Sequence, residues 1–118
     1  GIETLKRLKK PGTYEQLEQR SVALSEGVGN AARKAGVPLT QTRVSSMMCA
    51  FFTQGPVTDW ASAKKADTKA YAKFFHQMLD AGIYLAPSQF EAAFMSVAHT
   101  PKDIDRTISA AQAAFKNL

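Results

Sequence analysis

The sequence predicts an α+β domain: a short antiparallel sheet of two to four strands, covered by helices on one face. Three observations carry this expectation. Residues 67–81 place Tyr71, Phe74, Phe75, Met78 and Leu79 at i, i+3, i+4, i+7 and i+8, the period of a helix with one buried face. Residues 47–53, MMCAFFT, form a continuous apolar run of strand length, bounded by SS before and QGP after. The chain has 118 residues, 45% hydrophobic and 21% charged, which is the size and balance of one domain with a modest core.

Each element follows in chain order. Ile2, Leu5 and Leu8 recur at a spacing of three, so the opening reads as the tail of an amphipathic helix that Pro11 and Gly12 stop. The chain starts on Gly1 already in helical register, which suggests a piece of something longer. A second helix is expected with Thr13 as N-cap and Gln16 as capping-box partner. Its buried face would run through Tyr14, Leu17, Ser21, Leu24, Val28, Ala31 and Ala35, ending at Gly36, Val37 and Pro38. Gly27 and Gly29 weaken that helix by about 1 kcal/mol each relative to alanine, so a tight packing contact is expected there.

From Leu39 the pattern becomes extended. LTQTRV alternates, and MMCAFFT reads as a strand covered on both faces. TQGPVT is a turn, after which Thr58 is expected to cap a short helical turn through Trp60 and Ala63. Gly82 should end the helix of residues 67–81 at C′, and His76 is read as a surface residue near the helix end. AFMSVA, residues 93–98, is expected as a further short strand. Thr100 then caps a last helix with Pro101 at N1 and Asp103 and Asp105 in its first turn; Ile104, Ile108, Ala111, Phe115 and Leu118 form its buried stripe.

Composition excludes several classes of function. No apolar run approaches the roughly 20 residues that span a bilayer, and the start lacks a charged-then-apolar signal segment, so a cytoplasmic protein without a membrane partner is expected. A single cysteine, Cys49, rules out an internal disulfide and a cysteine-cluster metal site. Within MMCAFF it reads as a buried, inert thiol. The net charge is +5, yet apart from KRLKK at residues 6–10 the basic residues are scattered among acids. That is a solvated, mildly basic surface rather than a nucleic-acid interface. No glycine-rich phosphate loop and no nucleophile elbow occur, and the serines, histidines and aspartates show no spacing that predicts a triad. Glu91 stands out, between Phe90 and an apolar run in YLAPSQFEAAFMSVAHT. It is either a strand-end residue facing water or a charge placed in a pocket, where burial without a partner would cost several kcal/mol.

Longer phrases narrow the choice. GVPLTQTRVSSMM, FFTQGPV, ADTKAYAKFFHQMLDAGIYLAPSQFEAAFMSVAHT and DIDRTISAAQAAF together resemble the C-terminal domain of the glutamate-1-semialdehyde 2,1-aminomutase family. That family lies in the class III aminotransferase group of pyridoxal 5′-phosphate enzymes of fold type I. The resemblance implies that residues 1–118 are the single small domain of a longer, homodimeric enzyme, packed against its own large domain. It implies conversion of glutamate 1-semialdehyde into 5-aminolevulinate in tetrapyrrole biosynthesis, by a cofactor that cycles between pyridoxal and pyridoxamine 5′-phosphate.

In the family, the Schiff-base lysine and the cofactor-holding groups belong to the large domain, and no lysine from Lys6 to Lys116 matches their motif. The resemblance therefore implies no catalytic, cofactor-binding or metal residue in this chain, which alone would be inactive. It implies a substrate-binding role for Glu91 in PSQFEA, accepting charge-assisted hydrogen bonds from amine groups and repelling a second carboxylate. Ser88 and Gln89 would support that loop, although plain turn-capping explains them equally well. The sequence departs from the family in SSMMCA, where GSMFG is usual, and in EAAF, where EAGF is usual. Ala93 should accordingly occupy regular strand backbone. The alternatives are another class III aminotransferase and, from a different class, a basic interaction module.

Overall fold

A computed structural model describes all 118 residues. Its elements are α1 (Ile2–Leu8), α2 (Thr13–Lys34), β1 (Thr40–Val44), β2 (Met47–Phe51), α3 (Trp60–Ala63), α4 (Thr68–Asp80), β3 (Ala93–Phe94) and α5 (Pro101–Phe115). The three strands pair antiparallel in the order β1-β2-β3. Val44 opposes Met47 across a turn of Ser45 and Ser46, and Met47 opposes Phe94.

The sheet alternates, and Phe51 and Phe52 show the consequence. Successive side chains along extended backbone point to opposite faces. Phe51 joins Ala63 and Ala66 in a small cluster under α3. Phe52 enters the main core with Ala31 and Ala32 of α2, Tyr71, Phe74 and Met78 of α4, and Ala111, Ala114 and Phe115 of α5. Phe74 and Phe115 stack at 4.7 Å, and Phe52 meets both at a tilt. Three long helices thus form the layer that the sheet backs, and the short α3 segment adds cover at the Phe51 end.

Helix ends follow local chemistry. Thr100 and Asp103 form a capping box at α5, with Pro101 in the first turn. Both α2 and α4 end in Schellman motifs. Val37 N–H donates to Ala32 O at 3.0 Å and Ile83 N–H to Met78 O at 2.8 Å. Gly36 and Gly82 supply the left-handed C′ residue each motif requires, with φ of 70° and 78°.

Several expectations need correction. The N-cap of α2 is Gly12, in a left-handed conformation and without a side-chain cap, so Thr13 is the first helical residue and Gln16 closes no capping box. Tyr14 and Ala35 lie exposed beyond the buried run of that face. Asp59, not Thr58, caps α3, in a reciprocal box with Ser62; an ionised carboxylate is the stronger acceptor for a helix N-terminus. β2 stops at Phe51 and is covered on both faces only at that end, since Met47 is exposed. β3 extends over Ala93 and Phe94 alone. Past Phe94 no partner backbone continues the ladder: Met95 N–H donates to the turn residue Ser46, and Ser96 and His99 bond each other in a tight turn. Leu118 falls just past the buried stripe of α5 and is exposed.

Candidate functional site

The loop from Ala86 to Glu91 carries all three residues singled out in the sequence, and it is held from four directions. Tyr71 of α4, buried on the core face, donates its hydroxyl to Ala86 O. The Gln89 side chain is 3% exposed, and its Oε1 accepts from Phe52 N–H at 3.2 Å, just past the end of β2. Ser88 works locally: its Oγ accepts from Phe90 N–H at 3.2 Å, and its carbonyl accepts from Glu91 N–H at 3.1 Å. Cys49 of β2 donates its thiol to Glu91 O at 3.6 Å. The loop needs these side chains because it has no ladder of its own, and backbone polar groups near a core must find partners.

Glu91 itself is exposed and faces water just ahead of β3, the placement of the strand-end alternative rather than of a charge buried within the domain; Ala93, two residues on, begins β3 in regular strand backbone as expected. Its backbone N–H and C=O are both engaged, while its carboxylate enters no hydrogen bond or ion pair within the chain. Glu91 sits at the shared rim of two depressions. One is an apolar cavity of about 120 Å³ between the sheet and the helices, lined by Met48, Cys49, Tyr71, Phe74, Leu85 and Gln89 among others. The other is a groove of about 440 Å³, lined by Leu24, Tyr84, Pro87, Phe94, His99 and Thr107 among others.

The electrostatics follow from this layout. Burial pushes the Tyr71 hydroxyl above its ordinary value, and the negative charges of Glu91 and then Cys49 add to the rise. Burial also raises the Cys49 thiol, with a hydrogen bond to Thr42 pulling the other way. Cys49 is half-buried rather than fully buried, yet it stays protonated at neutral pH, which agrees with an inert thiol. His76 is exposed on α4, against the edge of Phe75, as its position near the helix end suggested.

Sequence reasoning missed two members of this site, Tyr71 and Phe52. Tyr71 registered as one more apolar position of a helical stripe. The available signal was its hydroxyl, because a tyrosine on a core face must find an acceptor.

Three of the five arginines tie separate parts of the fold together. Arg43 pairs with Glu18, Arg20 donates to Val97 O at 2.7 Å, and Arg106 donates to Ala81 O at 3.0 Å, at the end of α4.

Comparison with known proteins agrees with this architecture. No protein-family profile matches the chain. The glutamate-1-semialdehyde 2,1-aminomutases of Citrifermentans bemidjiense and Geotalea daltonii are 56% and 54% identical to it over all 118 residues. In both cases those residues span 28% of the relative's length. Among solved structures, the FumI protein of Sphingopyxis sp. MTA144, in its PLP internal aldimine form, superposes with a TM-score of 0.76 at 28% identity. The match covers 98% of this chain and 25% of that one. A glutamate-1-semialdehyde-aminomutase from Pseudomonas aeruginosa PAO1 shares the fold, with a TM-score of 0.77 at 17% identity, over 89% of this chain and 23% of that one. With sequence identity above one half along its whole length, the chain is similar throughout to glutamate-1-semialdehyde 2,1-aminomutases, as a segment spanning little more than a quarter of their length.

Proposed function

We propose that residues 1–118 are the small, C-terminal domain of a longer glutamate-1-semialdehyde 2,1-aminomutase, which converts glutamate 1-semialdehyde into 5-aminolevulinate for tetrapyrrole synthesis. The observation that carries this reading is the 56% identity to a relative of that name across every residue of the chain. The whole enzyme would be a cytoplasmic homodimer acting on a small molecule, with no role in binding nucleic acid or membrane. No helix of the chain is long and apolar enough to cross a membrane.

The residues of this chain do not fit pyridoxal 5′-phosphate on their own. A covalently held pyridoxal cofactor needs a lysine amine and a phosphate cradle of cations or clustered N–H groups. Neither the cavity nor the groove beside Glu91 is lined by a lysine or an arginine. The cofactor, in both its aldehyde and amine forms, therefore belongs to the rest of the enzyme in this reading.

What the chain would contribute is Glu91. Its backbone is tethered while its carboxylate is unspent, an arrangement suited to a group outside the domain. A carboxylate there accepts hydrogen bonds from substrate ammonium groups and disfavours a second substrate carboxylate. Ser88 and Gln89 hold the loop. The exposed row of Val44, Met47 and Phe94, which are cross-strand partners on one sheet face, gives the domain an apolar surface for the remainder of the enzyme.

The test uses the full-length protein supplied with pyridoxamine 5′-phosphate and glutamate 1-semialdehyde, following 5-aminolevulinate. Wild type is expected to form product, and Glu91→Gln to lose about 10- to 100-fold in kcat/KM, the value of a charge-assisted hydrogen bond. A wild type that transaminates common amino donors and makes no 5-aminolevulinate would keep the class III group and refute the specific reaction. An indifferent Glu91→Gln would return Glu91 to a water-facing residue.

A further inference from the structure

We propose that Tyr71 and Gln89 are positioning residues, which clamp the 86–91 loop to the core at Phe52 and so set where the Glu91 carboxylate stands. The inference rests on the reading of Glu91 given above and adds the residues through which that carboxylate is held.

The clamp has one anchor and two arms. Phe52 is 3% exposed at the centre of the main core, and its carbonyl accepts from Asp67 N–H at 2.8 Å, ahead of α4. Its ring meets Tyr71 edge-on at 6.0 Å, and its N–H is taken by Gln89 Oε1. Tyr71 holds the start of the loop at Ala86 and Gln89 holds it near the end, two residues before Glu91. Between those ties the loop contains neither helix nor strand, so its course depends on side chains.

Gln89 is an expensive residue to place there. Its Nε2 is buried and has no partner within the chain. A buried unpaired donor costs about 1–3 kcal/mol, which methionine or leucine of similar size would avoid. Oε1 offsets part of this cost by satisfying Phe52 N–H, a backbone donor otherwise stranded at the end of β2. The amide therefore serves as a tie between loop and strand end rather than as filler. Tyr71 is placed likewise: phenylalanine would fill the same core volume, and the hydroxyl adds the bond to Ala86 O.

The experiment uses the full-length protein with Tyr71→Phe, Gln89→Met, Glu91→Gln and the two double variants that pair each of the first with Glu91→Gln. Amide hydrogen exchange of residues 86–94 reads loop placement without reference to any reaction; the expected result is faster exchange in Tyr71→Phe and Gln89→Met, with a melting temperature lowered by no more than a few degrees. In kcat/KM for glutamate 1-semialdehyde each single variant is expected to lose about 3- to 10-fold, the value of one hydrogen bond. Adding either change to Glu91→Gln is expected to cost almost nothing further, because each acts through that carboxylate. Unchanged exchange in both variants overturns the clamp, and so do losses that multiply fully with Glu91→Gln. Faster exchange in a protein whose wild type makes no 5-aminolevulinate leaves the clamp standing and overturns the reaction.

Discussion

Gly27 of α2 lies so close to Ile108 of α5 that a Cβ on the glycine would stand 2.3 Å from Ile108 Cδ1 and 2.7 Å from Cγ1. The helix pair that encloses the core is therefore set at a spacing that only a missing side chain permits. Gly29, two residues on, likewise faces Gln41 Oε1 of β1, where a Cβ would come within 2.6 Å. The Ile108 contact accounts for Gly27 in the middle of a helix, where glycine is intrinsically unfavourable; at Gly29 the atom met is the free end of the Gln41 side chain, which can swing aside.

Gly27→Ala tests the contact. Helix propensity alone would favour alanine by about 1 kcal/mol. Overpacking opposes it by about 1–3 kcal/mol, and Ile108 has little room to yield because a β-branched side chain in a helix keeps one χ1 rotamer. We expect Gly27→Ala to lower stability by up to about 2 kcal/mol in urea unfolding. Gly27→Ala with Ile108→Ala should lose less than the sum of the two single changes. A Gly27→Ala protein more stable than wild type would mean that helix propensity wins and the helices separate freely.

Ser45 presents the opposite case, a side chain where glycine belongs. It is the first of the two residues that turn β1 into β2, and its φ is +51°, the one non-glycine residue of the chain with positive φ. The left-handed region costs an L-residue about 1–2 kcal/mol, and glycine is favoured in such hairpin turns. Glycine also raises the entropy of the unfolded chain, which takes back about 0.5–1 kcal/mol. Ser45→Gly is expected to stabilise the domain by about 0.5–1 kcal/mol, read as a higher urea midpoint at unchanged slope. A lower midpoint would mean that the serine earns its place through contacts stronger than its backbone strain.

Which features were legible in the sequence follows the range of the forces involved. α4 and α5 were readable to within a residue or two because caps and periodic apolar faces are local: Thr100, Pro101 and Asp103 start α5, and Gly82 stops α4. The tight packing at Gly27 was also foreseeable, since a glycine in a helix interior asks for a reason. The end of β3 was not readable. AFMSVA has strand composition throughout, but a strand persists only while a partner runs beside it, and β2 supplies only Met47 and Met48. At the candidate site, PSQFEA marked Glu91, Ser88 and Gln89 correctly as one loop. Nothing in their spacing indicated that Gln89 is buried or that Tyr71 reaches the same loop, because both depend on the path between α4 and β3 in space.

Glu18 and Arg43 join α2 to the end of β1 through a two-pronged ion pair, with Nη1 to Oε2 at 2.9 Å and Nη2 to Oε1 at 2.8 Å. Arg43 also donates to Ser45 O at 2.8 Å, so the pair is tied to the β1–β2 turn. The Arg43 hydrogen bonds hold the Glu18 carboxyl below the ordinary glutamate range, ahead of a smaller opposing effect of burial. A carboxyl depressed in the folded state binds its proton more readily once unfolded. Its contribution to stability is therefore complete above the ordinary glutamate range and is lost as pH falls through that range to the lowered folded value. Glu18→Gln is expected to melt below wild type at neutral pH, with the gap closing as pH falls through the ordinary glutamate range and gone below the lowered folded value. Asp59 and Asp103, also held low by their helix-capping bonds to Ser62 and Thr100, titrate in the same direction but are common to both proteins and cancel in the difference. The Glu18 side chain is 47% exposed, so added salt should shrink the gap at neutral pH without moving the pH at which it closes far. A gap that stays constant from neutral to acid pH would show that Glu18 contributes by packing rather than by charge.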